Sequence, residues 1–75
     1  MMNSEKKIID YHISRLQDRD ADIRLRSVED LAVVGDEDAL NALKALYETE
    51  THENVRKAIK TAGRQIFMRL REQKE

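Results

Sequence analysis

The sequence predicts an all-α fold of four amphipathic helices, stacked as antiparallel helical hairpins in a single domain over residues 1–75. Apolar residues recur at helical spacing through most of the chain, and no Pro interrupts them. Charged residues make up 39% of the chain, against about a quarter in a typical domain, which indicates helices with solvated outer faces. Disorder is disfavoured because apolar residues reach 40% and keep the helical period.

Each helix is placed by its apolar stripe and its capping residues. Asp20 is the predicted N-cap residue of the second helix, which ends at Gly35. The helices are predicted over about residues 4–17, 21–34, 37–48 and 54–71. Their apolar stripes are, in chain order, Ile8, Ile9, Ile13 and Leu16; Ile23, Val28 and Leu31; Ala39, Leu40, Leu43, Leu46 and Tyr47; and Val55, Ile59, Ala62, Ile66 and Leu70. Connections of roughly two to six residues predict antiparallel neighbours.

Two arginines lie inside apolar helix faces. Rotation by about 100° per residue places Arg24 within the apolar arc of the second helix, and Arg56, 32 residues later, within that of the fourth. Because a buried, unpaired charge is costly, we expect each guanidinium to bond to a carboxylate or to exposed carbonyl groups in the turn before its helix. The predicted carboxylate partners are the acidic residues of these turns: Asp18 or Asp20 for Arg24, and Glu50 or Glu53 for Arg56.

Two stretches share an acidic turn, an Arg-bearing helix start and small residues along the helix: LQDRDADIRLRSVEDLAVVGDEDALNALKAL and ENVRKAIKTAGRQI. They resemble HEAT repeats, specifically the short bacterial variety named after phycobilisome lyases. The matched residues are Asp18, Ile23, Arg24, Leu31, Gly35, Ala39, Leu40, Leu43 and Leu46 in one copy, and Glu50, Val55, Arg56, Ala62 and Ile66 in the other. The resemblance covers about residues 13–67. It implies a short α-solenoid of about two repeats, in which the Arg-bearing helix opens each copy and the second copy is incomplete.

The fourth helix places a basic strip, formed by Lys57, Lys60, Arg64 and Arg71, on an acidic body. Residues 17–53 have a net charge of −7, and residues 54–75 have a net charge of +5. The strip predicts a docking face for an acidic protein surface, with a second copy in a homodimer as another partner and a solvated helix face as the bland alternative. The candidate partner-binding residues are Lys57, Lys60, Arg64, Phe67, Met68, Leu70 and Arg71.

The resemblance implies a non-catalytic protein–protein interaction module, such as a small scaffold, adaptor or regulatory subunit. Because stacked repeats leave uncovered ends, partner binding is also expected at Ile8 and at Met1 and Met2. An alternative is an accessory fragment of a bilin lyase or related modifying enzyme in phycobilisome assembly or turnover. Nucleic-acid binding is a minor third alternative, which the net charge of −1 and the acidic body disfavour.

Catalytic and cofactor motifs are missing from the sequence. Its two glycines cannot form a Gly-rich phosphate loop. The pair His52 and Glu53 resembles one iron-binding unit of the HEAT-repeat deoxyhypusine hydroxylases, but that family needs several such units. We therefore expect no enzyme activity, cofactor or metal. The absence of Cys and of any apolar run longer than LAVV predicts a cytoplasmic protein without a membrane span.

Overall fold

The computed structural model describes residues 4–73, which form four α-helices and no strand. The helices are α1 (Ser4–Arg15), α2 (Ala21–Val34), α3 (Glu37–Thr49) and α4 (Glu53–Gln73). The predicted all-α class is confirmed, and the helix bounds differ from the predicted ones by two residues at most. α1 ends before the predicted residue 17 because the amides of Leu16 and Gln17 donate to the carbonyls of Ile13 and Ser14, three residues back, in a tight turn. Met1 and Met2, predicted to form an exposed end, lie outside the described residues.

The helices pack as two hairpins. α1 packs on α2, α3 packs on α4, and the two hairpins meet mainly along α2 and α4, with a smaller contact between α1 and α3. The Arg-bearing helices α2 and α4 are therefore the second helices of their hairpins. This corrects the expectation that such a helix opens each copy and that the second copy is incomplete: residues 4–73 contain two whole hairpins. The reason is that α2 uses its buried face against α1 and α4, so that little of it is left for α3.

The core draws apolar side chains from all four helices. It consists of Ile9 and Leu16; Val28 and Leu31; Ala39, Leu40, Leu43 and Leu46; and Val55, Ile59, Ala62 and Ile66. Ile8, which was placed both on the edge of the predicted apolar stripe and at the uncovered end of the stack, is half exposed, as the second of these predictions expects. The buried stripes of α2 and α4 thus hold the two hairpins together.

The connection from α2 to α3 is compact. The side chain of Asp36 accepts a hydrogen bond from the amide of Ala39 and caps α3, as Asp20 caps α2 by accepting from the amide of Asp22. Gly35 has an extended backbone, with φ −68° and ψ 152°, rather than the left-handed conformation of many helix-ending glycines. A β-carbon there would lie 2.5 Å from the carbonyl oxygen of Leu31. Close approach, not backbone conformation, therefore requires glycine at this position.

Candidate functional site

Arg24 and Glu50 form a bidentate ion pair between the hairpins. The Nε and Nη2 atoms of Arg24 donate to the two carboxylate oxygens of Glu50 at 2.8 and 2.9 Å. The side chain of Arg24 is 16% exposed and that of Glu50 only 1% exposed. Glu50 lies in the turn of the second hairpin, between α3 and α4. The predicted ion pair between Glu50 and Arg56 is therefore wrong. The Glu50 carboxylate pairs with Arg24 of the first hairpin instead.

The predicted ion pair between Arg24 and Asp18 is also corrected. The Nη1 atom of Arg24 donates to the backbone carbonyls of Asp18 and Arg19 at 2.8 and 2.9 Å. The Asp18 carboxylate instead accepts from the amide of Asp20 at 2.9 Å. The reason is local: this short side chain reaches an amide two residues on, while the carbonyls of the α1–α2 turn need a donor. Arg24 therefore bonds to backbone carbonyls of the α1–α2 turn and not to a carboxylate of that turn. The prediction had named exposed carbonyl groups as the other possible partners.

Arg56 donates hydrogen bonds to backbone carbonyls of the α3–α4 turn and the end of α3. Its Nη1 atom donates to the backbone oxygens of Tyr47 and Glu50, both at 3.0 Å. Its guanidinium carbon lies 4.0 Å from the centroid of the Tyr47 ring, a cation–π distance. Arg24 and Arg56 thus share a bond to the carbonyl six residues earlier, to Asp18 and Glu50 respectively. Among residues 4–73, no carboxylate pairs with Arg56.

Arg69 has a structural role that the sequence did not reveal. Its Nη1 and Nη2 atoms donate to the carbonyls of Ala32 at 3.0 Å and Gly35 at 2.6 Å. These carbonyls lie at the C-terminal end of α2, where the last carbonyls have no helical donor. The partial negative charge of this helix end favours a cation beside it. The contact ties the end of α4 to the first hairpin. Because the partners are 34 and 37 residues away in sequence, no local spacing signalled it.

The ion pair shifts the pKa of both its members. The hydrogen bond from Arg24 lowers the pKa of Glu50 below its ordinary value, aided by the amide of His52 and opposed by burial. The same hydrogen bond raises the pKa of Arg24. Glu50 is therefore held as a carboxylate, and the stability of the fold must depend on its charge.

Replacing Glu50 with Gln should remove part of the acid sensitivity of the fold. Because the folded-state pKa of Glu50 is lowered, its ionisation stabilises the fold above the unfolded value of about 4.3, and this stability is lost as pH falls through the folded pKa. Urea titrations from neutral pH down through this acid range should show that the parent is more stable than Glu50→Gln at neutral pH. The difference in unfolding free energy should shrink as the pH falls. A difference that stays constant with pH would contradict the assignment.

The surface between α3 and α4 forms a groove of about 400 Å³. Its floor is apolar, with the buried side chains of Leu40, Leu43 and Ile59. Gly63 contributes no side chain to the groove, and a β-carbon there would meet only the Cδ1 atom of Leu40, at 3.7 Å. The groove is lined by Leu40, Leu43, Lys44, Tyr47, Glu48, Ile59, Lys60, Gly63, Arg64 and Phe67. It combines an apolar floor with charged edges, the arrangement found in sites that bind amphipathic partners.

The predicted partner-binding residues divide between the α3–α4 groove and its surroundings. Lys60, Arg64 and Phe67 line the groove, and the ring of Phe67 is half exposed. Leu70 and Arg71 line a smaller adjoining pocket of about 220 Å³. Lys57 and Met68 are exposed but line neither space.

Sequence reasoning placed the candidate site on the fourth helix alone and missed its α3 side. Lys44 lines both the groove and the adjoining pocket, and Tyr47 forms one end of the groove. Tyr47 was assigned to the apolar stripe, and Lys44 resembled any solvated lysine. Only the packing of α3 on α4 brings these side chains to the basic strip.

Among residues 4–73, no group of three or more His, Cys, Asp or Glu side chains is placed to hold a metal ion. In the same range, no helix has both the length and the apolar character needed to cross a bilayer. A second apolar surface, formed by Ile8, Val33 and Val34 beside Glu5, lies where α1 meets α2. None of the described residues that line this second surface is a cation.

Two stacked hairpins, with arginines bonded to the turns before their helices, define an α-helical repeat protein. The family model described as HEAT repeats matches residues 2–64. The chain belongs to the HEAT-repeat family. HEAT repeats generally mediate protein–protein interactions. No curated protein and no solved structure matches the chain.

Proposed function

We propose that this protein is a non-catalytic protein–protein interaction module, a small scaffold, adaptor or regulatory subunit, that binds an acidic surface of a partner protein. One observation carries the proposal: Lys44, Lys60 and Arg64 line an apolar groove, and among residues 4–73 none of them has an acidic partner. The Lys and Arg side chains that form ion pairs among residues 4–73 are Lys6 and Arg24 instead. Unpaired cations next to exposed apolar surface favour a partner that supplies carboxylates.

The exposed aromatic and sulfur side chains support binding over a merely solvated helix face. Phe67 and Met68 are each about half exposed on α4, next to Arg64 and Arg71 of the basic strip. A solvated face would need only the charges, whereas aromatic, Met and Arg side chains are enriched at protein interfaces. The chemistry of this surface is thus closer to an interface than to an ordinary helix exterior.

Charge reversal on the basic strip tests the proposal. The variant Lys57→Glu/Lys60→Glu/Arg64→Glu should lose partners that the parent retains in affinity capture from the native cell, because the carboxylates would then meet like charges. Mass spectrometry identifies the partners, and purified partner then gives the Kd. Binding by the parent should weaken as salt rises, since exposed charges are screened.

The matched control is Lys7→Glu/Arg19→Glu/Arg26→Glu, which changes the net charge equally at exposed positions away from α3 and α4. It should retain the partners of the parent. Identical partner sets for the parent and both variants would contradict a role for the basic strip. Circular dichroism checks that each variant stays helical.

The resemblance to the phycobilisome-lyase variety carries the alternative proposal of an accessory subunit for a bilin lyase or related modifying enzyme. Identified partners that attach or remove bilins would support it. Nucleic-acid binding is the minor alternative. It predicts tight, steeply salt-dependent binding to a generic DNA duplex, and no binding at low salt removes it.

A further inference from the structure

The two hairpins can be compared position by position, because Arg24 and Arg56 are equivalent and 32 residues apart. On α2, Val28 and Leu31 are fully buried in the core that joins the hairpins. Their equivalents on α4 are Lys60 and Gly63, which line the α3–α4 groove. The face of α2 that packs in the core between the hairpins is therefore apolar at these two positions. The equivalent face of α4 carries a lysine and a glycine instead.

Two further positions show the same replacement. Ala32 and Gly35 on the first hairpin correspond to Arg64 and Phe67 on the second. Gly35 is buried and has no room for a side chain, whereas Phe67 is half exposed. A third hairpin, or a second copy stacked by the contact that joins α2 to α4, would have to bury Lys60 and Arg64 against apolar residues, which is costly. The groove therefore suits an occupant of different chemistry.

The arginines add an independent indication of that chemistry. Arg24 uses Nε and Nη2 to hold the carboxylate of Glu50, which comes from the neighbouring hairpin. Arg56 makes the equivalent carbonyl bond through Nη1. Within residues 4–73, however, no carboxylate takes the place at Arg56 that Glu50 takes at Arg24. This position lies at the Tyr47 end of the groove.

We infer that the α3–α4 groove binds an acidic, amphipathic segment of a partner protein; the inference rests on the proposed function and specifies its site. A bulky apolar side chain of the segment occupies the space above Gly63, beside Phe67. Carboxylates of the segment pair with Lys60 and Arg64, which are one helical turn apart on α4. A further carboxylate binds Arg56, repeating the bidentate contact of the first hairpin.

The charge around the groove supports this occupant. Among the described residues that line it, three are basic (Lys44, Lys60 and Arg64) and one is acidic (Glu48). The Nζ atom of Lys60 lies 5.7 Å from the centroid of the Tyr47 ring, which also lines the groove, and among residues 4–73 no carboxylate pairs with Lys60. An acidic segment would neutralise these cations, whereas a basic or neutral one would leave them unpaired as it covered them.

A displayed library of random peptides of about 16 residues, long enough for four helical turns, provides an unbiased probe of the full chain. Enriched peptides should carry Asp or Glu around apolar residues at helical spacing. Synthetic copies should shift the amide resonances of Leu40, Lys44 and Gly63 and bind more weakly as salt rises from about 50 to 300 mM. Enrichment of neutral or basic peptides, or of none, overturns the inference.

Substitution of Gly63 tests the groove itself. A β-carbon at Gly63 would meet only the Cδ1 atom of Leu40, at an ordinary 3.7 Å, so Gly63→Ala should fold and bind peptide. Gly63→Leu fills the space above the floor and should weaken peptide binding at least about tenfold by excluding the apolar side chain. Lys60→Glu/Arg64→Glu should weaken it at least as much. Equal binding to Gly63→Leu and Gly63→Ala overturns the inference.

The outcomes separate this inference from the proposed function. If acidic peptides or captured partners bind Gly63→Leu normally but are lost from Lys57→Glu/Arg71→Glu, the acidic-partner function stands and the groove is not its site. If no protein or peptide binds but a DNA duplex does, both are overturned. Self-association of the parent that Gly63→Leu abolishes in sedimentation would identify a second copy as the occupant and overturn the inference alone.

Discussion

Replacing Arg24 with Ala is expected to lower the free energy of unfolding by about 2–4 kcal/mol. The substitution leaves the Glu50 carboxylate, whose side chain is 1% exposed, without its bidentate partner. It also leaves the carbonyls of Asp18 and Arg19 without a donor from Arg24. Urea unfolding followed by circular dichroism measures the loss, and a double-mutant cycle with Glu50→Gln isolates the coupling between the two side chains.

Two further arginines calibrate this result. Arg56→Ala should cost less, about 1–3 kcal/mol, because it removes carbonyl bonds and the contact with Tyr47 but leaves no buried carboxylate unpaired. Arg26→Ala, at an exposed position on the same helix as Arg24, should change stability by less than about 0.5 kcal/mol. If Arg24→Ala unfolds at the same urea concentration as Arg26→Ala, the ion pair contributes nothing to stability.

Gly35→Ala is expected to destabilise the fold by about 1–3 kcal/mol, although it adds only one methyl group. The new β-carbon would lie 2.5 Å from the backbone oxygen of Leu31 and 2.9 Å from both the β-carbon of Ala39 and the Cδ1 atom of Ile66. A backbone oxygen cannot turn away as a side chain can, so the α2–α3 connection must shift. Thermal unfolding of parent and variant measures the change.

The other glycine provides a control of opposite sign. Gly63→Ala lies within α4, and its β-carbon would meet only the Cδ1 atom of Leu40 at an ordinary 3.7 Å, so it should raise stability by about 0.5–1 kcal/mol through the better helix propensity of Ala. Destabilisation by both substitutions in equal measure would show that glycine is needed for a shared reason rather than for the crowding at Gly35.

The fold could be predicted because its determinants are local. Apolar spacing, the N-cap residue Asp20 and short turns act within a few residues, and each was readable from the chain. Pairing of the helices is not local. The two-residue link at Gly35 and Asp36 suggested that α2 and α3 pair, yet the buried face of α2 lies against α1 and α4. The sequence therefore predicted the helices well and their grouping into hairpins less well.

The kind of hydrogen bond that each arginine makes could be predicted, but the residue that supplies the carboxylate could not. The position of Arg24 and Arg56 within apolar faces required hydrogen bonds in the turns, and both arginines make them. Sequence distance favoured Asp18 over Glu50 as the carboxylate for Arg24, because a residue six positions away looks nearer than one 26 away. Stacking of the hairpins reverses that order. The packing of α3 on α4 within the second hairpin brings Lys44 to the basic strip, which no pattern along α4 could show.

The ion pair between Arg24 and Glu50 also bears on how the molecule opens. Repeat proteins can lose one repeat at a time when the contact between neighbours is weak. Here, opening either hairpin alone would leave Arg24 or Glu50 without its ion-pair partner. It would also break the hydrogen bonds of Arg69 to the end of α2. The two hairpins should therefore exchange their slowest amide hydrogens in one concerted event. Partial, one-sided fraying would then be confined to the ends of the stack.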